Sequence, residues 1–142
     1  MSEININIHD YIQNISTQTY GKGDIVFKEG EKSNGTMYFV LEGEVDVYRK
    51  EDKKIVKINH ITAGGFFGDV ALLSAEPRTA TVITGKKGIT KLGKLDQHGF
   101  IRISKTSPTF LYQLLRVILD RLKRTEARLA VAQQELKKLK GI

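Results

Sequence analysis

The stretch Gly64-Gly65-Phe66-Phe67-Gly68-Asp69-Val70-Ala71-Leu72-Leu73-Ser74-Ala75-Glu76-Pro77-Arg78-Thr79-Ala80-Thr81-Val82 holds the residues best suited to chemistry. A glycine-rich turn opening into a short helix-like run presents unpaired backbone N–H groups and a positive dipole end, a natural seat for an anion. Arg78 follows within the same stretch and brings a charged fork to that anion. Asp69 is the odd member, because a carboxylate beside an anion is repelled unless it binds something neutral on the ligand. A sugar diol answers that need, as where an acidic residue takes ribose hydroxyls. The chemistry therefore points to a small molecule carrying one phosphate and an adjacent hydroxyl.

Two kinds of element must position these groups. Short apolar runs rich in Val, Ile, Thr, Tyr and Phe read as strands: Asp24–Lys28, Thr36–Leu41, Glu44–Tyr48, Ile55–Ile61, Ala80–Thr84 and Ile89–Leu95. Twelve of the 13 glycines lie at or before Gly99, where turns and bulges demand them. Many short strands at regular spacing predict a sandwich, jelly roll or barrel. After Pro108 and up to Lys140 there is neither glycine nor proline, and good helix formers dominate. Ser107 is placed as an N-cap, Pro108 in the first turn and Gly141 as the stop. Such a helix is about 50 Å long and cannot lie wholly against a small β domain.

Its apolar spacing suggests a partner. Leu111, Leu115, Ile118, Leu122, Thr125, Leu129, Ala132, Leu136 and Leu139 alternate steps of 4 and 3, a heptad seam with Leu115, Leu122, Leu129 and Leu136 at a. A parallel homodimer through residues 111–139 matches Arg121 with Glu126 of a second copy, and Glu135 with Lys140. The first two turns are expected to fold onto the chain's own domain.

The chemical stretch resembles the phosphate-binding cassette of cyclic-nucleotide-binding domains, the β-roll modules of catabolite activator proteins, of the regulatory subunit of cyclic-AMP-dependent kinase and of cyclic-nucleotide-gated channels. That pattern runs Phe-Gly-Glu, apolar–Ala–Leu, then Pro-Arg and small residues. Here it reads Phe67-Gly68-Asp69-Val70-Ala71-Leu72-Leu73 and Pro77-Arg78-Thr79-Ala80. The likeness extends upstream through Tyr20–Gly30 and Met37–Val45, and downstream through Leu95–Phe100 and the helix from Pro108, over residues ~10–125. It implies a mainly β, α+β fold: a double-stranded β-helix or jelly-roll β-roll over residues 1–107, with a C-terminal lid and coiled-coil helix over 108–142.

The resemblance also implies roles. Arg78 pairs with the cyclic phosphate. Backbone N–H groups around Gly68, Val70, Ala71 and Thr79 add phosphate contacts, and Asp69 holds the ribose 2′-OH. Thr79 offers its hydroxyl to phosphate or to a syn purine, and Thr125 touches the purine across the dimer seam. The ligand is cAMP or cGMP, with cAMP favoured as the commoner ligand of stand-alone bacterial members, and no cofactor is expected. The family's usual glutamate is Asp69 here, one methylene shorter. No helix-turn-helix, kinase-inhibitor segment or channel follows the long helix, so the output is expected in another polypeptide.

Composition narrows the alternatives. The chain has 142 residues and no cysteine, which removes disulfide scaffolds, thiolate metal sites and cysteine nucleophiles and fits a reducing cytoplasm. No signal peptide or membrane span is legible. His9, His60 and His98 show no metal-ligand spacing, and neither HExxH, GxSxG nor a P-loop occurs, so no enzyme is expected. Charge is uneven: residues 1–77 carry −4 and residues 78–142 carry +11. A basic helix invites nucleic acid, but without a recognition module such binding is salt-sensitive and sequence-blind. The remaining alternative is a ligand-free dimerisation module of the same fold.

Overall fold

The computed structural model describes residues 5–141. A 3-10 turn, Ile8–Asp10, is followed by strands β1 (Ser16–Tyr20), β2 (Ile25–Phe27), β3 (Met37–Glu42), β4 (Glu44–Glu51), β5 (Lys54–Thr62) and β6 (Phe66–Phe67). Helix α1 (Val70–Leu73), strands β7 (Thr81–Thr84) and β8 (Thr90–Leu95), and helices α2 (Gln97–Thr106) and α3 (Pro108–Lys140) complete the order. Two antiparallel four-stranded sheets form, in the orders β1-β8-β3-β6 and β2-β7-β4-β5.

Alternation along β3 explains why two cores exist. Tyr38 and Val40 face the second sheet and pack with Val45, Val47, Phe67, Val82 and Leu92. Met37 and Phe39 point the other way, into a layer with Phe66, Leu95, Ile103 and Phe110. Neighbouring side chains on a strand take opposite faces, so Phe66 and Phe67 are likewise split between the two cores. Burying each such side chain contributes about 1.5–3 kcal/mol, and this second layer seats the helices on the roll.

The strands anticipated from the sequence are present, with no end shifted by more than three residues. Three elements were not anticipated from composition. β1 reads Ser-Thr-Gln-Thr-Tyr, a mostly exposed edge strand whose polarity hides it. β6 is two residues inside the glycine-rich stretch, held by pairing with β3. Helix α2 is capped by Asp96, whose carboxylate accepts from the Gly99 N–H at 2.8 Å.

Helix α3 spans the anticipated residues, with Pro108 in its first turn and Gly141 left-handed at φ 69° beyond its end. Two expectations are corrected. Ser107 precedes α3, but its side chain makes no capping bond; its backbone N–H closes α2 on the Ile103 carbonyl at 2.8 Å. The side chains of the first turns buried in the core are Phe110, Leu114 and Val117, which lie off the heptad seam, and of the seam Ile118 packs against it half-buried. Leu115 is exposed, and Leu122, Leu129 and Leu136 remain about half exposed at 52%, 57% and 50%. The long helix therefore has two faces, one seated on the roll and one left open.

Candidate functional site

The chain leaves β6 at Phe67 and turns through Gly68, at φ +74°. A Cβ there would stand 3.0 Å from Arg78 Nη1 and 3.3 Å from the Thr36 carbonyl, so both conformation and space require glycine. Asp69 and the single turn of α1 follow. The expected free N–H seat is partly occupied: Ala71 N–H donates to the Gly68 carbonyl at 3.2 Å, and Leu72 N–H to that of Asp69 at 3.1 Å. Val70 and Leu73 of this turn are exposed, while Leu72 is buried and anchors it.

Arg78 is the centre of the site. Its residue is only 6% exposed, and its guanidinium lies 4.1 Å from the centre of the Phe27 ring, a cation–π geometry. Nη2 donates to Asn34 Oδ1 at 2.7 Å and to the Thr36 carbonyl at 2.9 Å. Neutral acceptors therefore satisfy part of the fork before any anion arrives. The charge itself is unmatched: among the described residues no carboxylate forms an ion pair with Arg78. Burial pushes its pKa down, against weaker upward influences of Tyr38 and Glu31. A buried cation with only neutral partners gains strongly from an arriving anion.

The other anticipated residues gather around it. Phe67 stacks on Tyr38 with ring centres 5.2 Å apart, and Ala80 is buried between the sheets. The Thr79 carbonyl accepts from Arg49 Nε at 3.4 Å. Gly68, Asp69, Val70, Ala71, Arg78 and Thr79 line one cavity of about 170 Å³, with Ile58 on its far wall. Thr125 stands apart from it. Its hydroxyl donates to the Arg121 carbonyl at 3.0 Å, and it lines a second cleft of about 490 Å³ between β5 and α3. Ile58 lines both spaces.

Asp69 is engaged by a residue that the sequence had placed elsewhere. Arg121 of α3 approaches Asp69 Oδ1 at 3.6 Å, donates to the Phe66 carbonyl at 2.9 Å and covers the Phe66 ring at 4.3 Å. Within one chain Arg121 thus makes contacts to its own roll in addition to its place on the heptad helix. Asn34, Thr36, Phe27 and Arg121 are the site residues that sequence reasoning missed. Only Arg121 left a signal, since it lies one helical turn before Thr125 and shares its face.

The family model of the cyclic nucleotide-binding domain matches residues 17–107, and the chain belongs to that family. The type II regulatory subunit of cAMP-dependent protein kinase from Drosophila melanogaster is 38% identical over 88 residues, covering 61% of this chain and 22% of that relative. The chain spans about a fifth of the length of the relatives it matches. The Thermus thermophilus catabolite activator protein superposes with a TM-score of 0.76 at 20% identity, over 84% of this chain and 55% of that one, a likeness of fold. The regulatory domain of Toxoplasma gondii PKA, co-crystallised with cAMP, gives a TM-score of 0.58 at 26% identity over 72% of this chain and 39% of that one. The β-roll with a long C-terminal helix is therefore the family's fold, and the relatives' names describe regulatory rather than catalytic subunits.

Proposed function

We propose that the chain is a receptor module for a purine 3′,5′-cyclic monophosphate, a binding protein rather than an enzyme. The observation that carries this is Arg78, a buried cation held only by neutral groups at the mouth of the family's phosphate cassette. An incoming phosphate draws the fork from Asn34 and Thr36 and forms charge-assisted bonds in their place. The backbone at Gly68, Val70, Ala71 and Thr79 surrounds that phosphate, and Asp69 receives the ribose 2′-OH. The names of the relatives speak for cAMP as one such ligand.

Asp69 also touches Arg121 of α3, so ligand that engages Asp69 alters how α3 is held. Binding then shifts an existing equilibrium of helix position, because only differential affinity for two states transmits a signal. The helix reports to another polypeptide and associates with a second copy along Leu122, Leu129 and Leu136, with Thr125 beside the purine. The ligand-free alternative draws on the same exposed leucines and on the neutral acceptors that already hold Arg78.

Isothermal titration with cAMP, cGMP and 5′-AMP separates the two readings. The expected result is saturable binding of a cyclic nucleotide, no response to 5′-AMP, and loss of binding in Arg78→Ala. Absence of heat with all three on folded, ligand-free protein, or unchanged affinity in Arg78→Ala, overturns the receptor reading.

A further inference from the structure

A cavity of about 640 Å³ lies at the end of the first sheet, where β1, β8 and the loop before β3 meet α2. Ile15, Leu95 and Ile103 give it a buried apolar floor, and Tyr11 and Ile12 pack beside them. Gly99, Arg102, Ile103 and Thr106 line it from α2. They stand at i, i+3, i+4 and i+7, one continuous face of that helix.

Two cations belong to its lining, Lys94 of β8 and Arg102 of α2. Lys94 Nζ donates to Gln18 Oε1 at 3.4 Å, a neutral partner. Among the described residues neither cation forms an ion pair. Asp96 also lines the cavity, but its carboxylate is engaged as the cap of α2, accepting from the Gly99 N–H at 2.8 Å. An apolar floor beside two unmatched cations suits a small molecule with an apolar body and one carboxylate. An arginine fork meets such a carboxylate with two parallel bonds.

The far wall of this cavity is the hold on Arg78. Asn34, Thr36 and Tyr38 line it, and the same three residues meet the guanidinium. Asn34 Oδ1 and the Thr36 carbonyl accept from Nη2, and the Tyr38 ring centre lies 5.9 Å from the guanidinium carbon. Asn34 Nδ2 donates to the Tyr38 hydroxyl at 3.4 Å and ties the wall together. A molecule that fills the cavity packs against this wall and keeps it in place.

The geometry points to a second ligand site, for an apolar monocarboxylate, whose occupancy opposes cyclic-nucleotide binding. The phosphate must draw Arg78 away from Asn34 and Thr36, and an occupant that steadies both residues makes that step harder. Coupling of this kind is reciprocal, so the nucleotide loosens the carboxylate by the same factor. The site stands on the cavity alone, and only its antagonism rests on the receptor reading above.

The test is NMR titration of the full chain with 2-naphthoate, indole-3-acetate and decanoate, each beside its uncharged amide. The expected result is saturable binding of at least one carboxylate, with shifts at the backbone amides of Ile15, Leu95 and Ile103 and at the Arg78 Nε–H. Its amide binds about ten-fold more weakly, and so does the carboxylate to Arg102→Ala. Saturating carboxylate then raises the Kd for cAMP or cGMP, whichever binds, by about five-fold. That effect disappears in Arg102→Ala, whose nucleotide affinity without carboxylate equals that of wild type. Failure of all three carboxylates to bind, equal binding of the amides, or binding untouched in Arg102→Ala overturns the site. An unmoved Arg78 Nε–H, or an unchanged or lower nucleotide Kd, overturns the antagonism. If no cyclic nucleotide binds the folded chain, the receptor reading and the antagonism fail together, and the NMR titration still decides the site.

Discussion

In the proposed receptor, Arg78 and Asp69 divide the work of the site by charge, the first for the phosphate and the second for the sugar. The aspartate is a methylene shorter than the family's usual glutamate, and its approach to Arg121, 3.6 Å, is longer than a hydrogen bond. Asp69→Glu extends the carboxylate toward both Arg121 and the ribose. It is expected to keep or tighten cyclic-nucleotide binding by titration calorimetry, whereas Asp69→Asn, which gives up the charge, weakens it. Loss of binding in Asp69→Glu would show instead that the cassette backbone is fitted to the shorter side chain. Much of this pair was legible beforehand, because both residues sit in one contiguous stretch whose glycine, apolar and arginine positions are ordered along the chain. Asn34 was not legible: it holds Arg78 at 2.7 Å across 44 residues, from a polar loop that resembles any other turn.

At the scale of elements, the β4–β5 hairpin forms one wall of the cleft against α3, and a polar clasp secures it. Asp46 on β4 meets Lys57 Nζ at 2.9 Å and His60 Nδ1 at 2.6 Å on β5. Partial burial pushes the Asp46 carboxyl up, but the bonds from His60 and Lys57 outweigh it and hold the carboxyl below its ordinary value of 3.8. A carboxyl lowered in the folded state contributes stability that is complete above its unfolded pKa and lost as pH falls through the folded one. Asp46→Asn is therefore expected to lower the melting temperature at neutral pH by the equivalent of about 1 kcal/mol or less. The difference from wild type should close as pH drops below 3.8. Thermal scans across that range decide it; a constant difference at every pH would mean the clasp acts through packing. The two strands were legible as apolar runs, but neither their pairing nor the clasp was, since both depend on the register across the hairpin.

For the whole molecule, the governing fact is that α3 is 33 residues long while the roll covers only its first turns. Phe110, Leu114 and Val117 fasten it, and Leu122, Leu129, Leu136 and Leu139 are left in solvent. An apolar stripe of that length with heptad spacing favours a second copy of the chain. The double substitution Leu122→Glu/Leu129→Glu is expected to turn a self-associated species into a monomer by sedimentation velocity, with the fold of the roll intact by circular dichroism. A wild-type chain that sediments as a monomer at high concentration would remove the dimer from the proposal. Among the described residues no helix is long and apolar enough to cross a membrane, so lipid offers this stripe no spanning role.

Local order was written in the chain itself. The period of two along β3 to β5, the switch to helix formers after Pro108, the left-handed glycine at Gly68 and the cassette spacing to Arg78 each arise from steric and hydrophobic rules acting over a few residues. Those rules settled the class of fold and named the candidate centre of the site. Tertiary structure decided what the rules do not reach: which face of α3 is covered, where Arg121 points, and what holds Arg78. The Arg121 bond to Phe66 spans 55 residues, and no periodicity along the chain encodes such a return. It exists because the buried faces of β3 and β6 dock Phe110 and Val117, and that docking fixes the rotation of α3. Arg121 then lies over the cassette while the leucine stripe faces water.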